Sequence, residues 1–181
     1  GRYLLTVGTI EPRKNLPRLV EALAILRRDD PALRLVVAGG KGWLYDDFFA
    51  TVEAHDQREA VILPGYVHDD DLSTLYAGAA AVVQPSLYEG FGLPVLEAMA
   101  CGAPVACSST SSLGEIAGEA ALPFDPECVE EMVEALRRLL ADGDLREALR
   151  EKGYARAGEF SWERAARETW GVYDRVMADG M

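Results

Sequence analysis

The chain is 181 residues long, with 49% hydrophobic and 27% charged residues and a formal net charge of −12. This length fits one globular domain, and no apolar run approaches the roughly 20 residues that a membrane-spanning helix needs. The negative charge argues against a nucleic-acid partner, whose phosphates the chain would repel, although a few clustered cations could still bind a small phosphate ligand.

Three cysteines, Cys101, Cys107 and Cys128, have neither a paired spacing nor a neighbouring histidine. We expect free, buried or half-buried thiols in the reducing cytoplasm and neither disulfides nor a metal site. The chain lacks an initiator methionine and runs from Gly1 directly into an apolar segment, so we expect a piece of a longer protein.

Short apolar runs alternate with segments of helical periodicity along the first two thirds of the chain. The runs predict buried strands over residues 3–7, 33–38, 60–63, 80–84, 104–107 and 120–124. Helices are predicted over residues 16–28, within 45–54, near 70–78, from 94 to about 101 and around 113–117. This alternation is typical of repeated β-α units.

The last third of the chain is predicted to be helical. Asp125 and Pro126 have the residue types of a cap and a first-turn proline for a helix to about residue 141, and two helices follow over 142–157 and 161–177. We therefore expect one α/β domain over residues 1–181, built as a doubly wound, Rossmann-like parallel sheet of about six strands. Helices would cover both faces, with extra helices at the carboxyl end.

The segment 85–97, with the sequence PSLYEGFGLPVLE, follows a predicted strand and opens a predicted helix. Gly90 and Gly92 permit a tight turn with the backbone close to a ligand. Such a turn would let Glu89 and Glu97 point into one cleft, beside helix-start amides that suit an anion. Taken alone, Glu97 could simply complement the helix dipole and Glu89 could be a solvated loop residue. The glycines and the position after a strand favour a ligand site.

A second candidate is the segment 8–15, with the sequence GTIEPRKN, between the first strand and the first helix. Asn15 is a plausible helix cap. Arg13 and Lys14 would then lie beside a helix start at the carboxyl end of a strand, where cations and amides together can bind a diphosphate. A solvated basic pair is the alternative, and the position makes the two interpretations about equal.

Three features are weaker candidates. The glycine-rich segment 39–42 matches neither a dinucleotide fingerprint nor a phosphate loop, so we expect a flexible loop. His55 and His68 are single and lie in or near charged segments, which favours surface residues. Four serines between residues 108 and 112 lack a nucleophile-elbow pattern and are interpreted as turn and cap residues.

At this point the sequence resembles a known family. The segment 89–105, EGFGLPVLEAMACGAPV, resembles the E-x7-E signature of the large retaining glycosyltransferase family 4, whose members have the two-domain GT-B architecture. The likeness extends to residues 11–15 (EPRKN), 65–67 (GYV) and 160–163 (FSWE), so it covers nearly the whole chain. It identifies the chain as the carboxyl-terminal, donor-binding half of such an enzyme.

The resemblance implies a role for each matching position around the signature. Glu89 would contact hydroxyls of the donor sugar, and Glu97 would hold the ribose hydroxyls. Phe91, Gly92 and Leu93 would supply backbone amides nearby.

The resemblance also implies roles for the earlier segment. Lys14, helped by Arg13, would neutralise the diphosphate as the glycosyl bond breaks. Gly8 and Thr9 would line the donor site, and Val67 and its neighbours the base pocket. Many relatives carry arginine where this chain has Thr9, so one expected phosphate cation is missing, and Arg13 is the candidate to replace it.

The resemblance further implies the partners of the protein. The donor would be a nucleoside-diphosphate sugar, with GDP-mannose favoured because EPRKN is most similar to mannosyltransferases of polysaccharide assembly. No metal or other cofactor is expected. A glycan or lipid-linked acceptor would bind to a missing amino-terminal domain, through which peripheral membrane association is possible. The helix over residues 161–177 would cross toward that domain. Because the domain that would bind the acceptor is missing, the fragment alone is expected to be inactive.

Two other function classes remain open. One is a second GT-B enzyme, such as a sugar-nucleotide epimerase or a glycan phosphorylase, although no feature marks the pyridoxal-phosphate lysine of a phosphorylase. The other is a non-catalytic sensor of nucleotide sugars. Turnover by the full-length protein would separate the sensor from an enzyme.

Overall fold

The structure is a computed structural model that describes residues 1–179 of the chain. Its sheet has six strands: Tyr3–Val7 (β1), Arg34–Ala38 (β2), Val61–Gly65 (β3), Ala81–Gln84 (β4), Val105–Ser108 (β5) and Ala121–Phe124 (β6). Neighbouring strands are parallel throughout, in the order β3-β2-β1-β4-β5-β6. The predicted six-stranded parallel sheet is confirmed.

The helices described in residues 1–179 follow the strands in alternation and then form a helical carboxyl end. Their bounds are Leu16–Leu26 (α1), Asp46–Ala54 (α2), Asp69–Gly78 (α3), Leu93–Ala100 (α4), Ser111–Ala117 (α5), Val129–Ala141 (α6), Gly143–Gly158 (α7) and Trp162–Asp179 (α8). Short 3-10 turns occupy Pro12–Lys14 and Gly118–Ala120.

The strand order reverses beside β1. From β1 the chain moves outward through β2 to β3, and then returns to place β4 on the other side of β1. Leu5 of β1 accordingly pairs with Val36 of β2 and with Val82 of β4. The loops that leave β1 and β4 therefore lie at the point of reversal on the carboxyl edge of the sheet, where folds of this kind form a ligand-binding crevice.

Side chains that alternate along the strands form two apolar layers. Leu4 packs in the layer covered by α1, α2 and α6, and Leu5 packs in the layer covered by α3, α4 and α5. Both leucines are fully buried, as expected when successive side chains point to opposite faces of a sheet that helices cover on both sides. The prediction of helices on both faces is confirmed.

One predicted helix start is wrong. Helix α6 begins at Val129 with Cys128 at the cap position, three residues after the predicted proline turn. The carboxylate of Asp125 instead accepts a hydrogen bond from the amide of Glu127 at 2.9 Å. Asp125 thus closes a local turn after β6, a role that short acidic side chains also favour.

Two peripheral elements are more exposed than the core. Strand β3 lies at the sheet edge, where Ile62 and Leu63 are 46% and 38% exposed. On α8, Trp162, Trp170 and Tyr173 are each more than half exposed. The expectation that α8 crosses toward a second domain stays a prediction. No helical segment within residues 1–179 combines the length and apolar composition of a membrane span.

Candidate functional site

Two loops meet at the carboxyl edge of the sheet, in the crevice between β1 and β4. The amide of Leu87 donates to the carbonyl of Arg13 at 2.8 Å, and the Asn15 side-chain amide donates to the carbonyl of Pro85 at 3.0 Å. Asn15 holds the cap position of α1, as predicted, but its side chain makes no cap hydrogen bond. Its side chain ties the two loops together instead.

The centre of this crevice is the carboxylate of Glu89. Its Oε1 accepts hydrogen bonds from Lys14 Nζ at 2.6 Å, from Ser86 Oγ at 2.7 Å and from Gln84 Nε2 at 3.2 Å. Its Oε2 accepts one from the guanidinium of Arg13 at 2.7 Å. The structure thus brings together the three residues predicted to be catalytic, although they come from segments about 75 residues apart.

This environment keeps Glu89 ionised. Burial alone would raise the pKa of the Glu89 carboxyl. The hydrogen bonds that it accepts, first from Lys14 and then from Ser86, together with the lysine charge, outweigh burial and lower this pKa to about 2. At neutral pH the group is therefore an anion that accepts hydrogen bonds and does not supply a proton.

The two cations differ in how firmly they are held. Lys14 is buried and lies across Gly8, where a Cβ atom would be only 3.0 Å from its Cε and Nζ atoms. Gly8 also has a φ of +144°, which disfavours any side chain. The side chain of Arg13 is 43% exposed, and its Nε lies 2.5 Å from Glu11 Oε1. Lys14 is thus fixed, while Arg13 can exchange partners at the surface.

The turn before α4 depends on one of its two glycines. Gly92 has a φ of +109°, and a Cβ atom there would lie 2.8 Å from Leu113 Cδ2. Gly90 has no such φ and has open space around it. The amides of Phe91, Gly92 and Leu93 have no hydrogen-bond acceptor among the described residues. Free amides at a helix start can bind an anionic or hydroxyl ligand.

The second glutamate of the signature, Glu97, has a different hydrogen-bond partner. Glu97 is exposed on α4 and accepts a hydrogen bond at Oε2 from the hydroxyl of Tyr76 at 2.8 Å. Tyr76 is 1% exposed on α3. Burial, followed by the charge of Glu97, raises the pKa of Tyr76, so the phenol stays protonated and donates.

Further predicted site residues lie around the crevice. Thr9 is exposed, and its Cγ2 methyl lies 2.6 Å from where a Cβ of Gly42 would be. The glycine-rich loop is hydrogen-bonded to the segment after β1 through the amides of Ile10 and Gly42 at 2.9 and 3.1 Å. Val67 is half-buried against the layer that α3 covers. Their roles toward a ligand stay predictions.

The sequence interpretation missed the residues that hold Glu89 in place. Gln84 and Ser86 are buried polar residues at the end of β4, and both bind Glu89. Ser111 Oγ accepts a hydrogen bond from the Glu89 amide at 3.1 Å, and Ser112 Oγ donates to the Glu89 carbonyl at 2.9 Å. Part of the serine cluster thus braces the loop after β4. Polar residues that end an apolar strand were the available signal.

A search of residues 1–179 for three or more histidine, cysteine or acidic side chains placed to hold a metal ion finds no such group. The cysteines are free, and burial raises the pKa of the Cys107 thiol to about 12. The chemistry of the crevice therefore derives from one buried carboxylate, two cations, free amides and an exposed carboxylate.

Curated proteins of related sequence include several mannosyltransferases. The chain is 41% identical over 172 residues to O-antigen chain mannosyltransferase B of Escherichia coli. The aligned region covers 94% of this chain and 45% of that protein. It is 35% identical to the MMP alpha-(1->4)-mannosyltransferase of Mycolicibacterium hassiacum, over 98% of this chain and 44% of that protein. The chain thus spans less than half the length of these relatives.

Solved structures show the same fold. Sucrose-phosphate synthase from Thermosynechococcus elongatus superposes with a TM-score of 0.84 and 29% identity, over 98% of this chain and 46% of that one. The lipopolysaccharide glycosyltransferase WaaG superposes with a TM-score of 0.76 and 28% identity, over 91% of this chain and 46% of that one. The predicted fold class, one half of a GT-B glycosyltransferase, is confirmed.

Residues 1–156 match the family described as glycosyl transferases group 1, which is most of the chain. Together with the mannosyltransferase relatives, the match confirms the predicted enzyme class at the level of the family. This chain is a member of the glycosyl transferases group 1 family.

Proposed function

We propose that the chain is the donor-binding half of a retaining glycosyltransferase of family 4, which moves a hexose from a nucleoside-diphosphate sugar to a glycan or lipid-linked acceptor. The observation that carries this proposal is the ionised Glu89 held by Lys14 and Arg13 in the β1/β4 crevice. The carboxylate of Glu89 could bind sugar hydroxyls, and Lys14 and Arg13, which are both hydrogen-bonded to it, could bind a diphosphate.

Glu89 would engage the sugar through one of its two oxygens. Its Oε1 already accepts three hydrogen bonds, all from buried side chains. Its Oε2 accepts from the half-exposed Arg13. Oε2 is therefore the oxygen that a sugar hydroxyl can reach, when the guanidinium turns away toward the diphosphate.

Lys14 would stabilise the leaving diphosphate. Its ammonium has three donors, and one of them is directed at Glu89, which leaves two for phosphate oxygens. Negative charge on the diphosphate grows as the bond to the sugar breaks, so a fixed cation stabilises the transition state more than the bound donor. Arg13 would supply the cation that relatives carry at the position of Thr9, and the free amides before α4 would add donors.

The remaining donor contacts follow from position. Glu97 on α4 would hold the ribose hydroxyls, and Val67 would line the base pocket. Gly8 leaves room for Lys14 and for the donor. No metal would be required, because the cations and amides of the chain supply the charge that a divalent ion provides elsewhere.

GDP-mannose is the proposed donor because relatives at 41% and 35% identity are mannosyltransferases. The acceptor would bind to a further domain toward which α8 would cross, and that domain could rest on a membrane surface. We place the protein in the cytoplasm, where nucleotide sugars are used.

Calorimetric titration of the chain with GDP, UDP and ADP tests the proposal, with and without EDTA. We expect GDP to bind most tightly and EDTA to leave the affinity unchanged. Glu97→Ala should weaken binding by about 1–3 kcal/mol, the scale of hydrogen bonds to a charged group. Absence of binding by all three nucleotides, or binding only with a divalent metal, would contradict the proposal.

A further inference from the structure

We propose that Tyr76 is a positioning residue that orients Glu97 for the ribose of a bound nucleotide. The inference rests on the proposed function, in which Tyr76 itself has no role. Its basis is the 2.8 Å hydrogen bond from the Tyr76 hydroxyl to Glu97 Oε2, which joins α3 to α4.

Glu97 has little else to hold it. Its side chain is exposed, and among residues 1–179 Tyr76 is the sole hydrogen-bond donor to its carboxylate, while no cation pairs with it. An exposed glutamate with three rotatable bonds loses considerable side-chain entropy when a ligand fixes it. A donor that already selects one rotamer removes part of that cost before the ligand arrives.

Tyr76 is well placed to be such a donor because it is itself immobile. The residue is 1% exposed, and its ring packs in the apolar layer with Val95 and Met99 of α4. The hydroxyl therefore projects from the core toward Glu97 with a fixed direction. A free surface donor would not fix the carboxylate in this way.

The hydrogen bond also leaves Glu97 competent to bind a diol. An ionised carboxylate offers about four acceptor positions on its two oxygens, and Tyr76 uses one of them. Because Glu97 is exposed, two neighbouring hydroxyls of one ribose can both donate to the remaining positions of the same carboxylate. Burial and the charge of Glu97 raise the pKa of the Tyr76 phenol. The phenol therefore stays protonated and does not act as a second anion that would accept hydrogen bonds from these hydroxyls.

The alternative is that the hydroxyl of the buried Tyr76 only finds a hydrogen-bond acceptor in Glu97 and has no effect on ligand binding. The two interpretations differ in what the ligand must contain. If Tyr76 acts through Glu97, its hydroxyl matters only for nucleotides that carry ribose hydroxyls. If it serves only the packing of α3 on α4, its loss affects every nucleotide equally or none.

The test compares Tyr76→Phe with wild type by calorimetry, using whichever of GDP, UDP and ADP binds wild type most tightly and its 2′,3′-dideoxy form. We expect Tyr76→Phe to weaken the ribonucleotide about tenfold, on the scale of one hydrogen bond to a charged group. The affinity for the dideoxy form should stay within about twofold. In a Glu97→Ala background, Tyr76→Phe should add nothing, as required when one residue acts through the other.

Tyr3→Phe is the matched control. Tyr3 is half-buried, and its hydroxyl donates to the carbonyl of Leu75 in the same helix α3 at 2.7 Å. Its loss should change neither affinity. Thermal unfolding of both variants shows whether the chain stays folded.

Three results would overturn the inference. Unchanged ribonucleotide affinity in Tyr76→Phe, while Glu97→Ala weakens it, removes the positioning role and leaves the proposed function intact. Equal weakening of the ribo and dideoxy forms assigns Tyr76 to packing alone. Absence of any effect of Glu97→Ala removes the ribose site itself, and with it the proposed role of Glu97.

Discussion

The contact between Lys14 and Glu89 places two opposite charges where both side chains are only 9% exposed. Burial of either charge alone would be costly, and the attraction between them together with hydrogen bonds from Ser86 and Gln84 offsets that cost. The pair therefore keeps Glu89 ionised at the place where we propose that the donor binds.

A double-mutant cycle measures this coupling. Glu89→Gln leaves the buried ammonium of Lys14 without its carboxylate and should lower the free energy of unfolding by about 3–5 kcal/mol. Lys14→Met should cost less, because Glu89 keeps its hydrogen bond from Arg13. The double variant should lose clearly less than the sum, because neither charge remains. Lys152→Met is the control: Lys152 pairs with Glu119 at the surface at 3.4 Å, and its loss should cost at most about 1 kcal/mol. Additive losses in urea unfolding would show that Lys14 and Glu89 do not interact.

The low pKa of Glu89 predicts a pH dependence with a defined sign. Folding lowers this pKa from an ordinary 4.5 to about 2. Such a carboxyl stabilises the folded state fully above its unfolded pKa, and the contribution is lost as the pH falls toward the folded value. The difference in unfolding free energy between wild type and Glu89→Gln should thus be constant from pH 7 to about 5 and shrink by pH 3. A difference that stays constant to pH 3 would contradict the charge state assigned to Glu89.

At the scale of the elements, the turn between β4 and α4 sets the direction in which Glu89 and the free amides point. Gly92 takes a left-handed φ of +109° and packs against Leu113 of α5. Ser111 and Ser112, the first two residues of α5, are hydrogen-bonded to the same turn. The geometry of the site therefore depends on α5 as well as on the two loops that contain the charged residues.

The two glycines of this turn provide a matched comparison. Gly92→Ala should lower the free energy of unfolding by about 1–3 kcal/mol, because a side chain is strained at this φ and meets Leu113 at 2.8 Å. It should also weaken nucleotide binding, since the amides before α4 would shift. Gly90→Ala, with open space and no left-handed φ, should stay within about 0.5 kcal/mol of wild type. Equal effects of the two substitutions would refute the assigned turn geometry.

The alternation of elements was predictable because its signals are local. Apolar runs and helical periodicity are properties of a few neighbouring residues, and they located β1, β2 and α4 to within about one residue. The start of α6 was misplaced because Asp125 favours both a helix cap and a turn, and the chain uses the turn. The exposure of β3 could not be read from its apolar residues, because exposure depends on the position of the strand in the sheet.

The charged residues of the candidate site could be predicted from the sequence, but their contacts with one another could not. Position after a strand and the family resemblance identified Lys14, Arg13 and Glu89. That Glu89 accepts hydrogen bonds from both cations could not be inferred, because the contact requires the strand order that places β4 beside β1. Tyr76 is hidden in sequence for a similar reason, since a buried helix residue shows no partner until the helices are packed.

For the whole molecule, the most unusual surface is that of α8. Its exposed apolar side chains are Trp162, Trp170, Val172, Tyr173, Val176 and Met177. An apolar surface of this size in water is typical of an interaction site. It agrees with the proposal that α8 crosses toward a further domain.

Removal of α8 should therefore cost the rest of the chain little. We expect a chain that ends at Phe160 to unfold at the same urea concentration as the full chain and to bind the same nucleotide equally well. Phe160 is retained because its ring contacts Phe91, with the ring centres 6.1 Å apart. A lower unfolding midpoint would show that α8 packs on this domain and is not a free surface.

The chain spans 45% of the length of the O-antigen chain mannosyltransferase that it matches, and Arg13 and Glu97 of its proposed donor site are exposed to solvent. An open crevice cannot exclude water from a reacting sugar. We therefore expect residues 1–181 to bind nucleotide without transferring sugar, and the complete protein to do both. Transfer by residues 1–181 alone, measured with GDP-mannose and a glycan acceptor, would contradict this division.

The proposed function requires that a nucleoside diphosphate binds in the β1/β4 crevice through Lys14, Arg13 and Glu97. A crystal structure of the chain with the tightest-binding nucleotide tests it most directly. We expect phosphate oxygens within hydrogen-bonding distance of Lys14 Nζ, ribose hydroxyls on the carboxylate of Glu97, and the Arg13 guanidinium turned from Glu89 toward the diphosphate. A nucleotide bound elsewhere, or one in this crevice whose phosphates contact neither cation, would contradict it.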